Sequence, residues 1–203
     1  MTITALLHFL AADWMENLAV LATVAGIWLT ARRRLLGWPI TLLADVLYLY
    51  VFFNARLYSD SLLQIFFIAF TLYGWFYWWR GIRSDGAVLV ENVASGTLLC
   101  HLAAGLAGAL LLGIVMYRLG AALPFLDASL TAFSLVASWW QARKYIANWW
   151  LWIVVDAIYV GEYLYKGLRP TALLYAGLVV LAFVGLKDWK SASQKALASA
   201  SGA

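Results

Sequence analysis

Two aspartates lie inside long apolar stretches of the sequence, and each is surrounded by aromatic residues at helical spacing. Intervals of three and four residues bring side chains to one face of a helix, so each aspartate shares its face with aromatic rings. The first face comprises Trp38, Thr41, Asp45, Tyr48 and Phe52, and the second Trp149, Trp152, Asp156, Tyr159 and Tyr163. Such faces suit a flat solute, because rings stack on it while a carboxylate orients its polar groups.

A structural interpretation of the same faces stays open beside the functional one. The aspartates would then hydrogen-bond between helices, and the tryptophans would form belts at the membrane interface. The belt interpretation is favoured for Trp38 and Trp149, which lie close to helix ends. Solute contact is favoured for Trp152, one turn deeper.

A second polar stripe recurs at intervals of three, four and three residues: Thr131, Ser134, Ser138 and Gln141. Hydroxyls can bond back to their own helix, so Gln141 is the member of this stripe that we predict to contact a solute. Gln64 is predicted to do the same, because an amide cannot satisfy both its donor and its acceptor locally. Asn148 has two interpretations, as a solute ligand or as a helix cap. Glu162 and Lys166 have the spacing of a structural i,i+4 ion pair.

Residue patterns for other kinds of chemistry are missing. His8 and His101 stand alone, and no metal-ligand spacing, nucleophile motif or phosphate-binding loop occurs. A retinal-linked pump needs a lysine deep in its last span, but Lys166 and Lys187 flank that span. We therefore predict neither an enzyme nor a metal or other cofactor. The basic residues lie between apolar stretches, which argues against a nucleic-acid partner.

The elements that position these residues follow from composition. Of the 203 residues, 65% are apolar and 12% are charged, which exceeds what one soluble core of this size can bury. The apolar runs are long, continuous and rich in Leu and Ala, so they predict membrane-spanning helices and not barrel strands. Spans are predicted at 14–31, 36–54, 60–79, 95–119, 125–141, 147–165 and 170–188. The predicted fold class is an all-α integral membrane protein with seven transmembrane helices.

An N-terminal segment, 1–13, lacks signal-peptide features, and a tail, 190–203, is predicted to be disordered.

Lysines and arginines are distributed unequally between the two sides of the predicted spans. Sorting alternate connections gives ten on one side and four on the other. The richer side holds Arg32, Arg33, Arg34, Arg80, Arg83, Arg143, Lys144, Lys187, Lys190 and Lys195. Because short basic connections stay cytoplasmic, we predict a multi-pass protein of the inner membrane with its N-terminus outside and its C-terminus inside.

The two aspartate faces belong to an internal repeat. A displacement of 111 residues, the difference between positions 45 and 156, aligns ARRRLLGWPITLLADVLYLY with ARKYIANWWLWIVVDAIYVG. The same register pairs Trp28 with Trp139 and Gly74 with Gly185. It predicts a first three-helix repeat at 14–79, a loop and linker helix at 80–124 and a second three-helix repeat at 125–189. A displacement of four spans keeps both copies in one orientation, and in such parallel repeats the solute site lies near the midplane between them.

The residues of the second repeat also carry a family resemblance. The stretches ARKYIANWWLWIVVDAIYVGEYLYKGL and LYSDSLLQIFFIAFTLYGWFYW closely resemble the PnuC family of vitamin transporters, and the likeness runs from about Trp14 to Trp189. It implies a parallel 3+1+3 helix arrangement similar to SWEET proteins and a homotrimer in the lipid bilayer. The resemblance further implies uptake of nicotinamide riboside for NAD synthesis by facilitated diffusion, after which a cytoplasmic kinase traps the solute.

Carried over residue by residue, the resemblance implies a solute site that overlaps the faces described above. It would include Gln64, Tyr73, Trp75, Gln141, Asn148, Trp149 and Trp152. Asp156 departs from the amide found at this position in some members, and relatives with other solutes, thiamine and riboflavin, share the scaffold. An acidic residue suits cationic thiamine as well as cationic nicotinamide riboside. An alternative of another class is a membrane scaffold that transports nothing.

Overall fold

The computed structural model describes residues 14–54, 56, 58–82 and 88–201. Within that part of the chain it contains seven helices. They are α1 (Trp14–Ala31), α2 (Gly37–Asn54), α3 (Tyr58–Arg80), α4 (Ser95–Arg118), α5 (Pro124–Ala142), α6 (Ala147–Tyr165) and α7 (Arg169–Ser201). The first six begin and end within two residues of the predicted spans, so the all-helical prediction is confirmed. The N-terminal segment 1–13 lies outside the described residues.

The last helix differs from its prediction. α7 has 33 residues and continues through the tail to Ser201, so the prediction of disorder is wrong for residues 190–201. Alanine, lysine and glutamine after Trp189 are good helix formers. Extending a helix that already exists adds a hydrogen bond for each residue that is fixed, whereas a new helix would need a costly nucleus. The polar composition indicated exposure to water, which an extended helix also provides.

The same turn joins α1 to α2 and α5 to α6. Arg33 has a φ of 56° and Lys144 a φ of 64°, so each lies in the left-handed region. The N–H of Arg33 donates to the carbonyl of Thr30 at 2.8 Å, and that of Lys144 to the carbonyl of Gln141 at 3.1 Å. A left-handed residue after a helix lets the chain turn while the last carbonyls stay hydrogen-bonded. Both pairs of positions are 111 residues apart.

Two helices, α2 and α6, each pack between two others, and the two resulting sets of three are called the first and the second half. In the first half, α2 packs against α1 and α3; in the second half, α6 packs against α5 and α7. The halves meet where α3 contacts α5 and where α1 contacts α7. Among the described helices, α4 contacts α5 alone, so it lies at the edge of the bundle.

Four buried tryptophans join the halves at the end where α2 and α6 begin. The ring of Trp78 lies 5.2 Å from Trp38 in an edge-on arrangement and 5.6 Å from Trp189, which in turn lies edge-on to Trp149 at 5.4 Å. Gly185 is required here, because any side chain at this position would overlap the Trp149 ring. Edge-on aromatic pairs contribute about 0.5–1.5 kcal/mol each beyond their buried area.

Five of the seven described helices are long and apolar enough to cross a membrane, namely α1, α2, α3, α4 and α7. The other two, α5 and α6, carry most of the polar groups singled out in the sequence. α5 contacts α3 and α4, and α6 is packed between α5 and α7. The polar helices are therefore held by the apolar ones.

Candidate functional site

The predicted solute residues are concentrated on α6. Asn148, Trp149 and Asp156 are 0%, 1% and 5% exposed, and Trp152 and Tyr159 are half-buried. Spacing places four of them on one side of the helix, as predicted, and that side faces the interior: Trp149, Trp152, Asp156 and Tyr159. The belt interpretation is wrong for Trp149, and it is wrong for Trp38 too, which is only 4% exposed.

Gln141 and Trp152 meet across the α5–α6 interface. The indole N–H of Trp152 donates to Gln141 Oε1 at 3.1 Å. The backbone carbonyl of Gln141 also accepts a hydrogen bond from the Trp78 indole at 3.3 Å. Gln141 therefore orients a ring of the site while its backbone contacts the first half.

The two aspartates have different surroundings, which the sequence repeat does not predict. Thr71 on α3 donates its hydroxyl to Asp45 Oδ2 at 2.8 Å. The position equivalent to Thr71 in the second half is Ala182, which is buried and has no hydroxyl. No hydrogen bond to Asp156 occurs among the described residues. Asp45 therefore joins two helices through its hydrogen bond, whereas Asp156 has no such partner among the described residues.

A group of tyrosines adjoins Asp156 on the side toward the end of α6. Asp156 lies close enough to Tyr159 and Tyr175 to act electrostatically on both hydroxyls. The ring centres of Tyr159 and Tyr175 are 4.8 Å apart, and Tyr163 lies 5.1 Å from Tyr175. Asp156 thus lies between these rings and Trp152, one helical turn away in the opposite direction.

Tyr73 lies on α3 at the border between the halves. Its ring stacks on Trp139 of α5 at 5.2 Å with an interplanar angle of 16°. Its hydroxyl accepts a hydrogen bond from Arg143 Nη1 at 3.3 Å. Trp75 packs against the buried tryptophan core from the same helix. Both residues therefore lie next to the central cluster and belong to the first half.

Two predicted amides have unused hydrogen-bonding capacity. Gln64 Oε1 is buried and has no hydrogen-bond partner, and the same holds for Asn148 Oδ1. The nitrogen of Asn148 donates to the Tyr145 carbonyl at 2.6 Å, and Ile146 is the N-cap residue of α6. The alternative role of Asn148 as a helix cap is therefore wrong. A buried acceptor without a partner is destabilising by about 1–3 kcal/mol, so both oxygens are suited to receive a donor from a bound solute.

The inner faces of the two halves are chemically unequal. The positions equivalent to Gln141, Asn148 and Trp152 are Thr30, Gly37 and Thr41 in the first half. These smaller residues let α1 and α2 approach closely, because any side chain at Gly37 would overlap Thr30. Polar and aromatic side chains able to contact a solute are therefore more numerous in the second half.

An ion cluster lies at the end of α6 that is distant from the four buried tryptophans. Lys166 contacts Glu162, as the predicted i,i+4 pair, and lies 3.7 Å from Asp127 Oδ1 at the start of α5. The Glu162 side chain is 3% exposed, and its hydrogen bond raises the pKa of Lys166 above its usual range. The cluster joins α5 to α6, which supports the structural role predicted for it.

Some of these contacts were missed by sequence reasoning. Thr71, Tyr175 and Arg143 each contact a predicted site residue, yet none was singled out. The repeat offered a signal for one of them, because Tyr175 lies 111 residues after Gln64. Nothing in the spacing indicated which neighbouring side chain would reach Asp45.

The comparisons with known proteins point to one family. Residues 13–191 match the nicotinamide mononucleotide transporter family. The chain is 27% identical over 209 residues to the nicotinamide riboside transporter PnuC of Escherichia coli K12, covering 90% of this chain and 87% of that one. It is 28% identical over 187 residues to the riboflavin/roseoflavin transporter RibM of Streptomyces davaonensis, covering 90% of this chain and 85% of the other.

A solved structure shares the fold. The crystal structure of the vitamin B3 transporter PnuC superposes with a TM-score of 0.76 at 21% identity, covering 95% of this chain and 88% of the other. The apolar helices and these relatives make the chain a multi-pass membrane protein. It belongs to the nicotinamide mononucleotide transporter family.

Proposed function

We propose that the protein carries nicotinamide riboside across the inner membrane by facilitated diffusion, and that a cytoplasmic kinase then traps the solute. The family match and the relatives named as nicotinamide riboside transporters support this proposal. No group of three or more His, Cys, Asp or Glu side chains able to hold a metal occurs in the described part of the chain.

The observation that carries the choice of solute is the buried, unpartnered carboxylate of Asp156. Nicotinamide riboside has a flat, positively charged ring. A buried carboxylate is strongly disfavoured unless a cation or donors accompany it, so a cationic ring between Trp152 and Tyr159 satisfies Asp156. Gln64, Asn148 and Gln141 supply amide groups for the polar substituents, while Asp45 acts by holding α2 to α3.

We also propose that the helices form a parallel 3+1+3 repeat of the SWEET type, with α4 as the linker. Left-handed residues recur at the predicted displacement, at Arg33 and Lys144 and again at Arg56 and Gly167. An odd number of spans puts the two termini on opposite sides, and the distribution of basic residues supports an N-terminus outside and a C-terminus in the cytoplasm.

Opening toward the cytoplasm then requires that bonds between the halves break. Trp78 of the first half donates to the Gln141 carbonyl of the second at 3.3 Å. The equivalent residue, Trp189, donates to the Thr30 carbonyl of the first half, also at 3.3 Å. A hydrogen bond contributes about 1 kcal/mol, so this pair of bonds is weak enough to break in each transport cycle.

Uptake into vesicles tests the proposal. Purified protein is reconstituted into liposomes, and labelled nicotinamide riboside is followed with and without an enclosed kinase and ATP. We expect equilibration without the kinase and accumulation with it. Accumulation without a kinase, or no equilibration at all, would rule out facilitated diffusion of this solute.

Riboflavin and thiamine are the alternative solutes on this scaffold. The similarity to RibM favours riboflavin, whose ring is uncharged, as the second candidate. The same liposomes, supplied with each labelled vitamin, distinguish the three by initial rate. A preference for riboflavin would contradict the role assigned to Asp156.

A membrane scaffold without transport is the alternative of another class. Trp152→Ala is expected to abolish uptake and leave the protein folded, because Trp152 is half-buried and contacts Gln141 through one hydrogen bond. Loss of the fold in this variant, together with no solute binding to the wild type, would support the scaffold.

We further propose the homotrimer implied by the family resemblance. α4 contacts only α5 among the described helices, and Leu106, Leu110 and Leu111 on α4 are exposed. Mass measurement of the purified protein in detergent tests this assembly; a monomer at all concentrations would exclude it.

A further inference from the structure

A pair of adjacent cations follows α1 and faces a carboxylate on the other half. Arg32 Nη1 and Arg33 Nε each lie 3.8 Å from an oxygen of Asp188 on α7. These ion pairs are partly exposed and therefore contribute little to stability. They nevertheless give both cations an anionic partner.

The equivalent pair in the second half faces an aromatic ring instead. Arg143 and Lys144 follow α5 at the same turn, and Tyr77 on α3 holds the position equivalent to Asp188. The Arg143 guanidinium carbon and the Lys144 ammonium nitrogen both lie 4.9 Å from the centre of the Tyr77 ring. A ring attracts cations through its quadrupole, but it carries no charge to neutralise them.

No carboxylate lies within ion-pair distance of Arg143 or Lys144 in the described ranges 14–54, 56, 58–82 and 88–201. Arg143 Nε is buried and has no hydrogen-bond partner, and Lys144 is only 6% exposed. Burial lowers the pKa of Lys144, and Glu91 counteracts this only partly.

Two features of the chain partly offset the cost of burying the positive charge of Lys144. Its ammonium lies against Gly81 at the end of α3, where the helix dipole favours a cation. The backbone of Glu91 pairs with the turn, donating to the Lys144 carbonyl at 3.0 Å and accepting from Ile146 at 2.9 Å, while its side chain stays exposed. Neither feature contributes anything to Arg143.

We propose that Arg143 and Lys144 bind a small phosphate-class oxyanion beside Tyr77, in the place that the Asp188 carboxylate has in the first half. Guanidinium and ammonium groups are the usual protein ligands of phosphate, and the unpaired Arg143 Nε offers a donor. The site is separate from Asp156, whose charge would repel an anion. Its ligand comes either from a soluble phosphate monoester or from a phospholipid headgroup at this end of the bundle.

Substitutions at the equivalent positions Tyr77 and Asp188 are expected to have opposite effects on phosphate binding. Tyr77→Asp supplies an internal carboxylate to Arg143 and Lys144, and it should weaken phosphate binding about tenfold or more. Asp188→Asn removes the carboxylate from Arg32 and Arg33, and it should add a second bound phosphate for each chain. Lys144→Gln serves as an independent loss variant if Tyr77→Asp does not fold.

Binding of radiolabelled inorganic phosphate to the full-length detergent-purified protein is measured at constant ionic strength. A parallel arm counts phosphatidylglycerol retained by the protein from nanodiscs, using mass spectrometry. One phosphate bound by the wild type and lost in Tyr77→Asp or Lys144→Gln supports a soluble ligand. Retained lipid that the same variants lose supports a headgroup. No binding in either arm, or binding unchanged in both loss variants, would overturn the proposal.

Discussion

Replacing Asp156 by Asn, and Asp45 by Asn as its control, tests whether these two aspartates have different roles although the repeat makes their positions equivalent. Asn preserves shape but removes the charge that we assign to the cationic solute. A hydrogen bond or contact with a charged group contributes about 1.5–3 kcal/mol, so the variant should lose about tenfold to a hundredfold in affinity for nicotinamide riboside. Asp45→Asn keeps an acceptor for the Thr71 hydroxyl at its present 2.8 Å, and we expect less than about a threefold change.

The assay is initial-rate uptake into liposomes over a range of nicotinamide riboside concentrations, with the amount of folded protein matched by size-exclusion chromatography. Ala182→Ser provides a second test, because it offers Asp156 a hydroxyl of the kind that Thr71 offers Asp45. It should reduce affinity without removing the carboxylate. Equal losses in Asp45→Asn and Asp156→Asn, or an Asp156→Asn protein with wild-type uptake, would refute the reasoning.

Two further substitutions test packing and the orientation of the site. Gly185→Ala places a methyl group where the Trp149 ring lies, so it should destabilise the protein by about 1–3 kcal/mol, measured by thermal unfolding. Gly177→Ala is the control, because a methyl group there has no neighbouring atom within 4 Å and should not destabilise the protein. Trp152→Phe removes the indole donor to Gln141 Oε1, and a loss of about 1 kcal/mol should raise KM about fivefold with little change in unfolding temperature. Unfolding equal in both glycine variants, or an unchanged KM, would contradict the respective contacts.

Much of the helical framework was predictable from local patterns. Apolar runs long enough to span a bilayer located the helices, since each run must bury its own backbone polar groups in a helix. The sixth span, predicted at 147–165, coincides with α6 at both ends. The prediction of disorder after Trp189 was wrong, because polar composition indicates contact with water and does not distinguish an exposed helix from a disordered segment.

The candidate site was predictable only in part. Periodicity correctly put Trp152, Asp156 and Tyr159 on one face of α6, and that face is turned inward. It gave the wrong environment for Trp149, which lies in the buried core and not in an interfacial belt. A tryptophan near a helix end satisfies both patterns, so its burial depends on what the neighbouring helix places beside it.

The sequence by itself determined the helical membrane class, the register that relates Asp45 to Asp156, and the polar faces that carry them. Those features depend on residue spacing along one chain. Tertiary structure decided the difference between equivalent positions: Asp45 receives a hydroxyl from Thr71, while the second half has Ala182 there. It also placed Tyr77 beside two cations whose equivalents face a carboxylate. The physical reason is that a helix pattern specifies which side chains point the same way, whereas their partners come from helices distant in sequence.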